Sequence, residues 1–211
     1  MNILIIEDHP LIKIGLKHLI RESAPKAVLT QADSFPTGMA LMDTSKFDLL
    51  ILDIEVPGGQ NIKMMDMVRK KQSEIIILIH SGHDEDTYAL PYLQAGADGF
   101  LSKQSSQEEF KKAFSELMNH GKYVSYRIQQ TLLHNISDNN SRKLKNPILS
   151  LSRRETRVME LLMEGKWTKE ISSILDLKEN TISTYKRRIF DKLDVTNELE
   201  LAKKLSLFKS Y

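Results

Sequence analysis

The 211-residue chain contains no cysteine, which excludes disulfide bonds and thiolate metal sites. No apolar run approaches the roughly 20 residues that a membrane span needs, and the N-terminus lacks the basic and apolar stretches of a secretory signal. Hydrophobic residues nevertheless make up 41% of the sequence, which is enough for packed cores. The sequence therefore predicts a cytoplasmic protein without a membrane segment, and its length favours two domains.

The net charge of the chain is small, at +2, but the charges are unevenly distributed. Residues 1–120 hold 12 basic and 17 acidic side chains, residues 121–147 hold 5 and 1, and residues 148–211 hold 13 and 10. An acidic first part and a basic second part favour different partners for the two parts. Ordinary solvated surfaces are the alternative explanation of the charge pattern alone.

The first 121 residues alternate between two kinds of hydrophobic pattern. Apolar runs typical of strands cover residues 2–6, 28–32, 48–53, 75–80 and 98–101. Apolar residues at helical spacing separate these runs, and the last such stretch, Ser106–His120, is followed by Gly121 as a predicted C-cap. Strand and helix alternate five times, so the sequence predicts an α/β fold with a five-stranded, doubly wound parallel sheet.

The pattern changes after residue 121. Residues 124–136 predict an additional helix, and the polar, Asn-rich stretch from Ser137 to Pro147 predicts a flexible linker. We therefore expect a first domain at residues 1–121, a linker with a short helix at residues 122–147 and a second domain at residues 148–211.

The second domain shows helical patterns only. Ser152 and Glu155 form a capping box at the start of its first helix, which Gly165 is predicted to end. Three further helices are predicted at residues 168–175, 179–193 and 197–207. The tight connection between the second and the third of these four helices is typical of a small all-α helix-turn-helix domain.

Charged side chains follow three of the predicted strands. Glu7 and Asp8 follow the first strand, Asp53 ends the third, and Lys103 follows the fifth. The carboxyl ends of parallel strands meet at one edge of the sheet, where ligands bind in open α/β folds. Because Mg²⁺ prefers oxygen ligands, we expect Asp8 and Asp53 to bind it directly, Glu7 to bind it through water, and the backbone carbonyl of Glu55 to complete the set.

The same edge is suited to phosphoryl transfer. Asp53 would act as a carboxylate nucleophile that forms an aspartyl phosphate, and Lys103 would pair with a phosphoryl oxygen. Ser81, at the end of the fourth strand, would donate a hydrogen bond to another phosphoryl oxygen. A lone acid after a strand is usually a cap or turn residue, but the joint placement of these residues favours a site. Three nearby histidines are predicted to be loop or surface residues and not metal ligands: His9, His80 and His83.

The third helix of the second domain has one apolar and one polar face. The apolar positions, which should pack on the other helices, are Ile182, Tyr185, Ile189 and Leu193. The polar face suits the DNA major groove, where Arg187 would make a bidentate contact to guanine and Ser183 and Thr184 would allow close approach to base edges. Contacts to DNA phosphates are predicted for Thr181, Lys186, Arg188 and Lys192. The alternative is an ordinary solvated face.

Residues 1–121 resemble a response-regulator receiver domain, which has a flavodoxin-like sheet. The resemblance rests on Ile5-Ile6-Glu7-Asp8-His9-Pro10, Leu52-Asp53-Ile54-Glu55-Val56-Pro57-Gly58, Ser81-Gly82 and Ala95-Gly96-Ala97-Asp98-Gly99-Phe100-Leu101-Ser102-Lys103. The second domain resembles the LuxR-type helix-turn-helix in Leu151-Ser152-Arg153-Arg154-Glu155 and Asn180-Thr181-Ile182-Ser183-Thr184-Tyr185-Lys186. Nearly the whole chain resembles the NarL/FixJ class of transcriptional response regulators, and it is most similar to the BvgA/EvgA-type branch.

This resemblance implies a function. A histidine kinase would phosphorylate Asp53 with the help of Mg²⁺, Ser81 would move toward the phosphoryl group, and the aromatic ring of Phe100 would rotate inward. The phosphorylated chain would form a homodimer that binds double-stranded promoter DNA, with RNA polymerase as a further candidate partner. Two residues depart from the usual pattern: Phe100 has no hydroxyl group to donate, and Glu55 adds a charge beside the site.

Two alternatives differ in their chemistry. The first is a Mg²⁺-dependent phosphohydrolase with Asp53 as nucleophile, but such enzymes commonly need a second Asp where this chain has Glu55, and no cap domain is evident. The second alternative keeps the DNA-binding role without phosphorylation. We expect no enzymatic activity beyond the receiver's own phosphoryl transfer and autodephosphorylation.

Overall fold

The computed structural model describes residues 1–137, 151–193 and 195–208. The chain divides into two compact units, Met1–Asn139 and Asn140–Tyr211. The predicted domain limits stay a prediction, since residues 138–147 of the expected linker lie outside the described residues. None of the described helices combines the length and the apolar character needed to cross a membrane.

The first unit alternates strands and helices. In chain order its elements are β1 (Asn2–Ile6), α1 (Pro10–Ser23), β2 (Val28–Ala32), α2 (Phe35–Thr44), β3 (Leu49–Leu52), α3 (Lys63–Lys71), β4 (Ile76–Ser81), α4 (Glu85–Gln94), β5 (Gly99–Ser102), α5 (Gln107–His120) and α6 (Tyr126–Ser137). All strand pairs are parallel, in the order β2-β1-β3-β4-β5. The predicted doubly wound parallel sheet is therefore confirmed.

The strands are buried because helices cover both faces of the sheet. Every residue of β3 is at most 1% exposed, as are Ile3 to Ile6 of β1. On one face, α1 and α5 pack onto the sheet through Leu16, Ile20, Phe110, Phe114 and Leu117. On the other face, a side chain at Gly38 of α2 would collide with Ile6, so glycine permits the close approach of α2 to β1.

Local signals define the ends of α5. The Ser106 hydroxyl accepts a hydrogen bond from the Glu109 backbone N–H at 3.1 Å, which satisfies one free donor of the first turn. Gly121 ends the helix with φ of +71°, a left-handed conformation that favours glycine. The predicted helix of residues 106–120 and its C-cap are thus confirmed.

Arg69 on α3 ties together the backbone around the start of β5. Its guanidinium donates to the carbonyls of Gly96, Ser73 and Ile75, and to Asp98 Oδ2 at 2.6 Å. Asp98 is only 9% exposed, and its carboxylate also accepts from the Ile77 backbone N–H at 2.9 Å. This network links α3, β4 and the loop that enters β5.

The additional helix predicted at residues 124–136 is α6, and it packs on α4. Ile128 is 1% exposed, and Arg127 pairs with Asp86 of α4. Just before α6, Tyr123 extends the edge of the sheet by a parallel bridge to Gly99. The described part of the segment after α5 is therefore packed against the first unit.

The second unit contains four described helices: α7 (Arg153–Met163), α8 (Thr168–Leu175), α9 (Glu179–Leu193) and α10 (Glu198–Phe208). The capping box is confirmed, because Ser152 Oγ accepts from Glu155 N at 3.3 Å and Ser152 N donates to Glu155 Oε2 at 2.7 Å. The helix α7 ends at Met163, and Gly165 follows with φ of +76°. Val158, Ile171, Ile182 and Ile189 form the fully buried centre of this unit.

His80 corrects one prediction. The interpretation of His80 as a loop or surface residue is wrong: His80 lies in β4, inside the predicted strand of residues 75–80, is 7% exposed, and packs edge-on against the Phe110 ring. The side chain is buried because α5, which carries Phe110, covers it, and this long-range contact leaves no signal in the local sequence. Burial, and then the charge of Lys103, lower the pKa of His80 to about 4.

The Arg69 network predicts a stability effect. Arg69→Ala should lower the free energy of unfolding by about 2–4 kcal/mol, because Asp98 and several carbonyls lose a charged donor. Lys70→Ala, a change at the exposed neighbouring residue, should stay within about 0.5 kcal/mol of the unmodified protein. Urea denaturation measures both, and equal values for the two variants would contradict the role of Arg69.

Burial of neutral His80 predicts a pH effect. The unfolded chain protonates this histidine below its ordinary pKa of 6.5, whereas the folded chain resists protonation until about 4. Folding stability should therefore fall with decreasing pH, by about 2 kcal/mol from this residue alone between about pH 7.5 and about pH 5. His80→Leu should lose correspondingly less stability over this range in denaturation experiments, and parallel losses in both proteins would disprove this account.

Candidate functional site

The parallel register brings the ends of β1, β3, β4 and β5 to one edge of the sheet. Ile6 of β1 pairs with Leu52 of β3, so the residues that follow these strands are neighbours. Backbone hydrogen bonds extend this alignment: Asp53 N–H donates to the Ile6 carbonyl at 2.9 Å, and Lys103 N–H donates to the Ser81 carbonyl at 2.8 Å. The backbone thus holds Asp53 and Lys103 where their side chains meet.

Two buried carboxylates at this edge share one lysine. Glu7 and Asp53 are 1% and 3% exposed, and Lys103 Nζ lies 2.7 Å from Glu7 Oε2 and 2.8 Å from Asp53 Oδ2. Burial alone would lower the pKa of Lys103, but the hydrogen bonds and charges of Asp53 and Glu7 raise it above its usual value. The charged lysine balances only one of the two negative charges.

The acidic residues form a cluster of possible metal ligands. One ligand atom from each of Glu7, Asp8, His9 and Asp53 lies within 4.8 Å of the others. Asp8 Oδ1 and Glu7 Oε2 are both buried, and each has one basic neighbour, His9 Nδ1 at 3.0 Å and Lys103 Nζ at 2.7 Å. The oxygens of these three carboxylates, whose charge Lys103 balances only in part, fit a hard divalent cation such as Mg²⁺.

His9 contributes to this cluster in a way that the sequence did not indicate. Its Nδ1 atom lies 2.7 Å from Glu7 Oε1 and 3.0 Å from Asp8 Oδ1. The hydrogen bond to Glu7 and the charge of Asp8 raise the pKa of His9. His9 does lie in the loop before α1 with an exposed side chain, as predicted. Its position directly after Glu7 and Asp8 was the available signal for the contact.

The remaining predicted residues line the same edge. Ser81 is fully buried, and its Oγ accepts a hydrogen bond from the His83 backbone N–H at 3.1 Å. Phe100 is 1% exposed, so its ring lies inside the unit in this structure. The Glu55 backbone N–H donates to Asp53 Oδ1 at 3.3 Å, which places the backbone of Glu55 beside the acidic cluster.

The Glu55 side chain has a partner that sequence analysis missed. Glu55 Oε1 lies 2.8 Å from His83 Nε2, and the His83 ring stacks on Tyr88 with a centroid distance of 4.3 Å. His83 lies in the loop between β4 and α4, as predicted for a loop residue. The extra charge of Glu55 is therefore directed toward the β4–α4 loop.

The predicted DNA-binding face lies on α9. Ser183, Thr184, Arg187 and Arg188 are exposed, and Thr181 is half-buried near the start of the helix. On the opposite face Ile182, Ile189 and Leu193 are buried, and Tyr185 packs against them partly buried. The predicted division of this helix into a packed and an open face is confirmed.

Two of the predicted phosphate-binding lysines have protein partners. Lys186 pairs with Glu198 of α10 and lies over the Phe190 ring, 5.5 Å from its centroid. Lys192 Nζ is 2.7 Å from Glu155 Oε2, and this hydrogen bond lowers the pKa of Glu155 although burial opposes the shift. Within the described residues, Arg187 and Arg188 form no ion pair with an acidic side chain.

Two family models match the two units. Residues 3–115 match the response regulator receiver domain, and residues 149–205 match the bacterial regulatory proteins of the luxR family. The first match alone covers more than half of the 211 residues. Together the matches span the predicted phosphoryl-transfer residues and the predicted DNA-binding helix.

Individual relatives match this chain over nearly its whole length. The DNA-binding transcriptional activator EvgA of Escherichia coli K12 is 29% identical to this chain, in a match that covers 95% of this chain and 95% of EvgA. The response regulator UvrY of the same strain is 26% identical, in a match that covers 95% of this chain and 91% of UvrY. The structure of RcsB from Salmonella enterica serovar Typhimurium, bound to promoter rprA, has a TM-score of 0.79 at 22% identity, covering 99% of this chain and all of the other. The chain therefore belongs to the NarL/FixJ class of two-component response regulators, transcription regulators that join a receiver domain to a LuxR-type DNA-binding domain.

Proposed function

We propose that this response regulator acts in the cytoplasm, where it accepts a phosphoryl group on Asp53 from a histidine kinase, and that the acyl phosphate controls dimerisation and binding to promoter DNA. The observation that carries the proposal is the buried Asp53 carboxylate, 2.8 Å from Lys103 Nζ and beside the acidic pair Glu7 and Asp8. Such a carboxylate can act as the nucleophile that forms an aspartyl phosphate, and Lys103 is already close enough to pair with an oxygen of the transferred phosphoryl group.

Mg²⁺ is the proposed cofactor of this step. Asp8 and Asp53 would bind it directly, Glu7 through water, and Glu55 through its backbone carbonyl. The three carboxylates of the cluster, whose charge Lys103 balances only in part, support this assignment. When bound, Mg²⁺ would reduce the repulsion between the carboxylate and the incoming phosphoryl group.

The residues of the chain would then act in sequence. An Asp53 carboxylate oxygen attacks phosphorus, an oxygen–phosphorus bond forms, and the bond from phosphorus to the kinase histidine nitrogen breaks, leaving the electron pair on the imidazole. Lys103 moves from Asp53 Oδ2 to a phosphoryl oxygen, and the Ser81 hydroxyl donates to another. Hydrolysis of this acyl phosphate would be the receiver's autodephosphorylation.

The conformational switch would connect Ser81 to Phe100. Ser81 and Phe100 lie on the neighbouring strands β4 and β5, and both are buried. A shift of Ser81 toward the phosphoryl group would change the space available to the ring. Because Phe100 has no hydroxyl group, packing alone would hold the ring inward. The changed packing would then alter the surface through which two copies of the chain pair.

In the second unit, α9 would enter the major groove of promoter DNA. Arg187 would contact guanine, and the short side chains of Ser183 and Thr184 would let the helix approach base edges. Contacts to the phosphates of the DNA backbone would come from Thr181, Lys186, Arg188 and Lys192. The two lysines would then leave their glutamate partners and pair with phosphates. The relatives support this role, since EvgA is a DNA-binding activator and RcsB has been solved on promoter DNA.

Dimerisation would multiply the DNA contacts. A dimer binds two half-sites about one helical turn apart, so its affinity exceeds that of one unit. RcsB dimers bound to DNA provide a precedent in a protein of the same fold. RNA polymerase is the proposed further partner at the promoter.

Phosphorylation of Asp53 has a direct test. Incubation of the full chain with Mg²⁺ and acetyl phosphate should add one phosphoryl group by mass spectrometry and shift sedimentation toward a dimer. Asp53→Asn should abolish both effects, because an amide is not a nucleophile for this step. Asp43→Asn, which changes an exposed carboxylate of α2, should behave like the unmodified protein. Labelling that persists in Asp53→Asn would refute the assignment.

Base reading by Arg187 predicts a loss of specificity. On a duplex selected from random sequences, Arg187→Ala should reduce discrimination at one base pair by about 1–3 kcal/mol. Lys186→Ala should weaken binding to selected and random duplexes alike, because a phosphate contact carries no sequence information. Fluorescence anisotropy measures both, and an equal loss on both duplexes for Arg187→Ala would contradict its role.

A further inference from the structure

Three arginines crowd the start of α7. Arg153, Arg154 and Arg157 line a cleft of about 220 Å³. The remaining walls of the cleft are Val158 of α7, Leu175 and Leu177 around the end of α8, and Tyr185 of α9. The cleft thus has a basic rim and an apolar floor, and it touches three helices of the second unit.

The positive charge of this rim is not balanced by neighbouring acids. Arg153 and Arg154 are exposed, and neither forms an ion pair with any side chain in the described part of the chain. The nearest acid in sequence, Glu155, is buried and already binds Lys192 and the Ser152 backbone. Arg157 pairs with Glu160 at 2.9 Å, the one ion pair of the three arginines among the residues that the structure describes. The rim therefore presents a surplus of positive charge to solvent.

These charges do not stabilise the fold. Cations in the first turn of a helix oppose the positive end of the helix dipole, and Arg153 and Arg154 also repel each other. Arginine side chains further lose conformational freedom when they are held close together. Because these arginines cost stability, we expect them to serve the binding of an anion.

The position of the cleft identifies the anion. Tyr185, one wall of the cleft, lies on the packed side of α9, and its neighbours on that helix, four residues before and three after, are Thr181 and Arg188, two of the proposed phosphate contacts. The basic rim therefore adjoins the flank of α9 that would face the DNA backbone, not the base-reading face. Guanidinium groups bind phosphate oxygens in a bidentate manner, and apolar walls can cover the hydrocarbon part of an arginine side chain.

We propose that Arg153 and Arg154, assisted by Arg157, bind backbone phosphates of duplex DNA beside the groove that α9 enters. This inference rests on the proposed DNA-binding function and adds a second contact surface, on a helix outside the helix-turn-helix pair. Its contacts hold the duplex and fix the orientation of α9. They carry no base preference, because phosphates are the same at every sequence.

The salt dependence of binding tests the proposal. Each lost phosphate contact should reduce the slope of log affinity against log salt by about 0.9, so Arg153→Ala/Arg154→Ala should reduce it by about 1.8. The full chain should be titrated on a random-sequence duplex by fluorescence anisotropy, between about 50 and about 200 mM salt. Affinity at the lower salt concentration should fall by about tenfold or more.

Matched variants separate this effect from others. Lys17→Ala/Arg21→Ala removes the same net charge from exposed positions of α1 and should leave the slope unchanged. Arg153→Lys/Arg154→Lys keeps the charges and should retain most of the slope. The thermal unfolding temperature of Arg153→Ala/Arg154→Ala should stay equal or rise, because a repulsion at the helix start is relieved.

The possible outcomes distinguish a failure of this inference from a failure of the proposed DNA-binding function. An unchanged salt slope in Arg153→Ala/Arg154→Ala would overturn the proposal. Lost transcription in this variant with normal DNA binding would overturn it as well, because that result would point to a protein partner on this surface. An equal slope change in the α1 control would also overturn it. If the unmodified protein binds no duplex with or without acetyl phosphate, the proposed function itself fails, and this inference fails with it.

Discussion

The sharing of Lys103 between Glu7 and Asp53 is the interaction on which the receiver unit depends. Burying two carboxylates is costly, and a single lysine at 2.7 and 2.8 Å balances one negative charge only. The remaining negative charge suits a cation at this edge of the sheet. The parallel register holds the three groups together, so the fold itself creates the arrangement on which the proposed chemistry rests.

The second unit also pairs a buried carboxylate with a lysine from another element, and there the pair joins two helices. The buried Glu155 caps the start of α7 and binds Lys192 of α9 at 2.7 Å, which connects the first helix of the unit to α9. The apolar centre around Ile171 and Ile182 fixes the packed face of α9. Because that face is fully used, Arg187 remains open to the solvent side, where duplex DNA can reach it.

Much of the fold followed from local patterns, whereas parts of the site did not. The helix α8 lies at the predicted residues 168–175, because its polar start and apolar stripe are local signals. The burial of His80 was not predicted because it depends on the packing of Phe110 of α5 against β4. The contacts of His9 with Glu7, and of His83 with Glu55, depend on the paths of loops. Hydrophobic periodicity predicts helices and strands but not the paths of loops.

The sequence by itself determined the order of strands and helices, the caps of α5 and α7, and the types of charged residue at the strand ends. These features depend on neighbouring residues, so hydrophobic periodicity and turn chemistry are sufficient to predict them. Only the tertiary structure decided which charges are buried together and which are left unbalanced. Lys103 reaches two acids, while Arg153 and Arg154 meet none among the described residues, because distances between separate elements depend on how the whole chain packs.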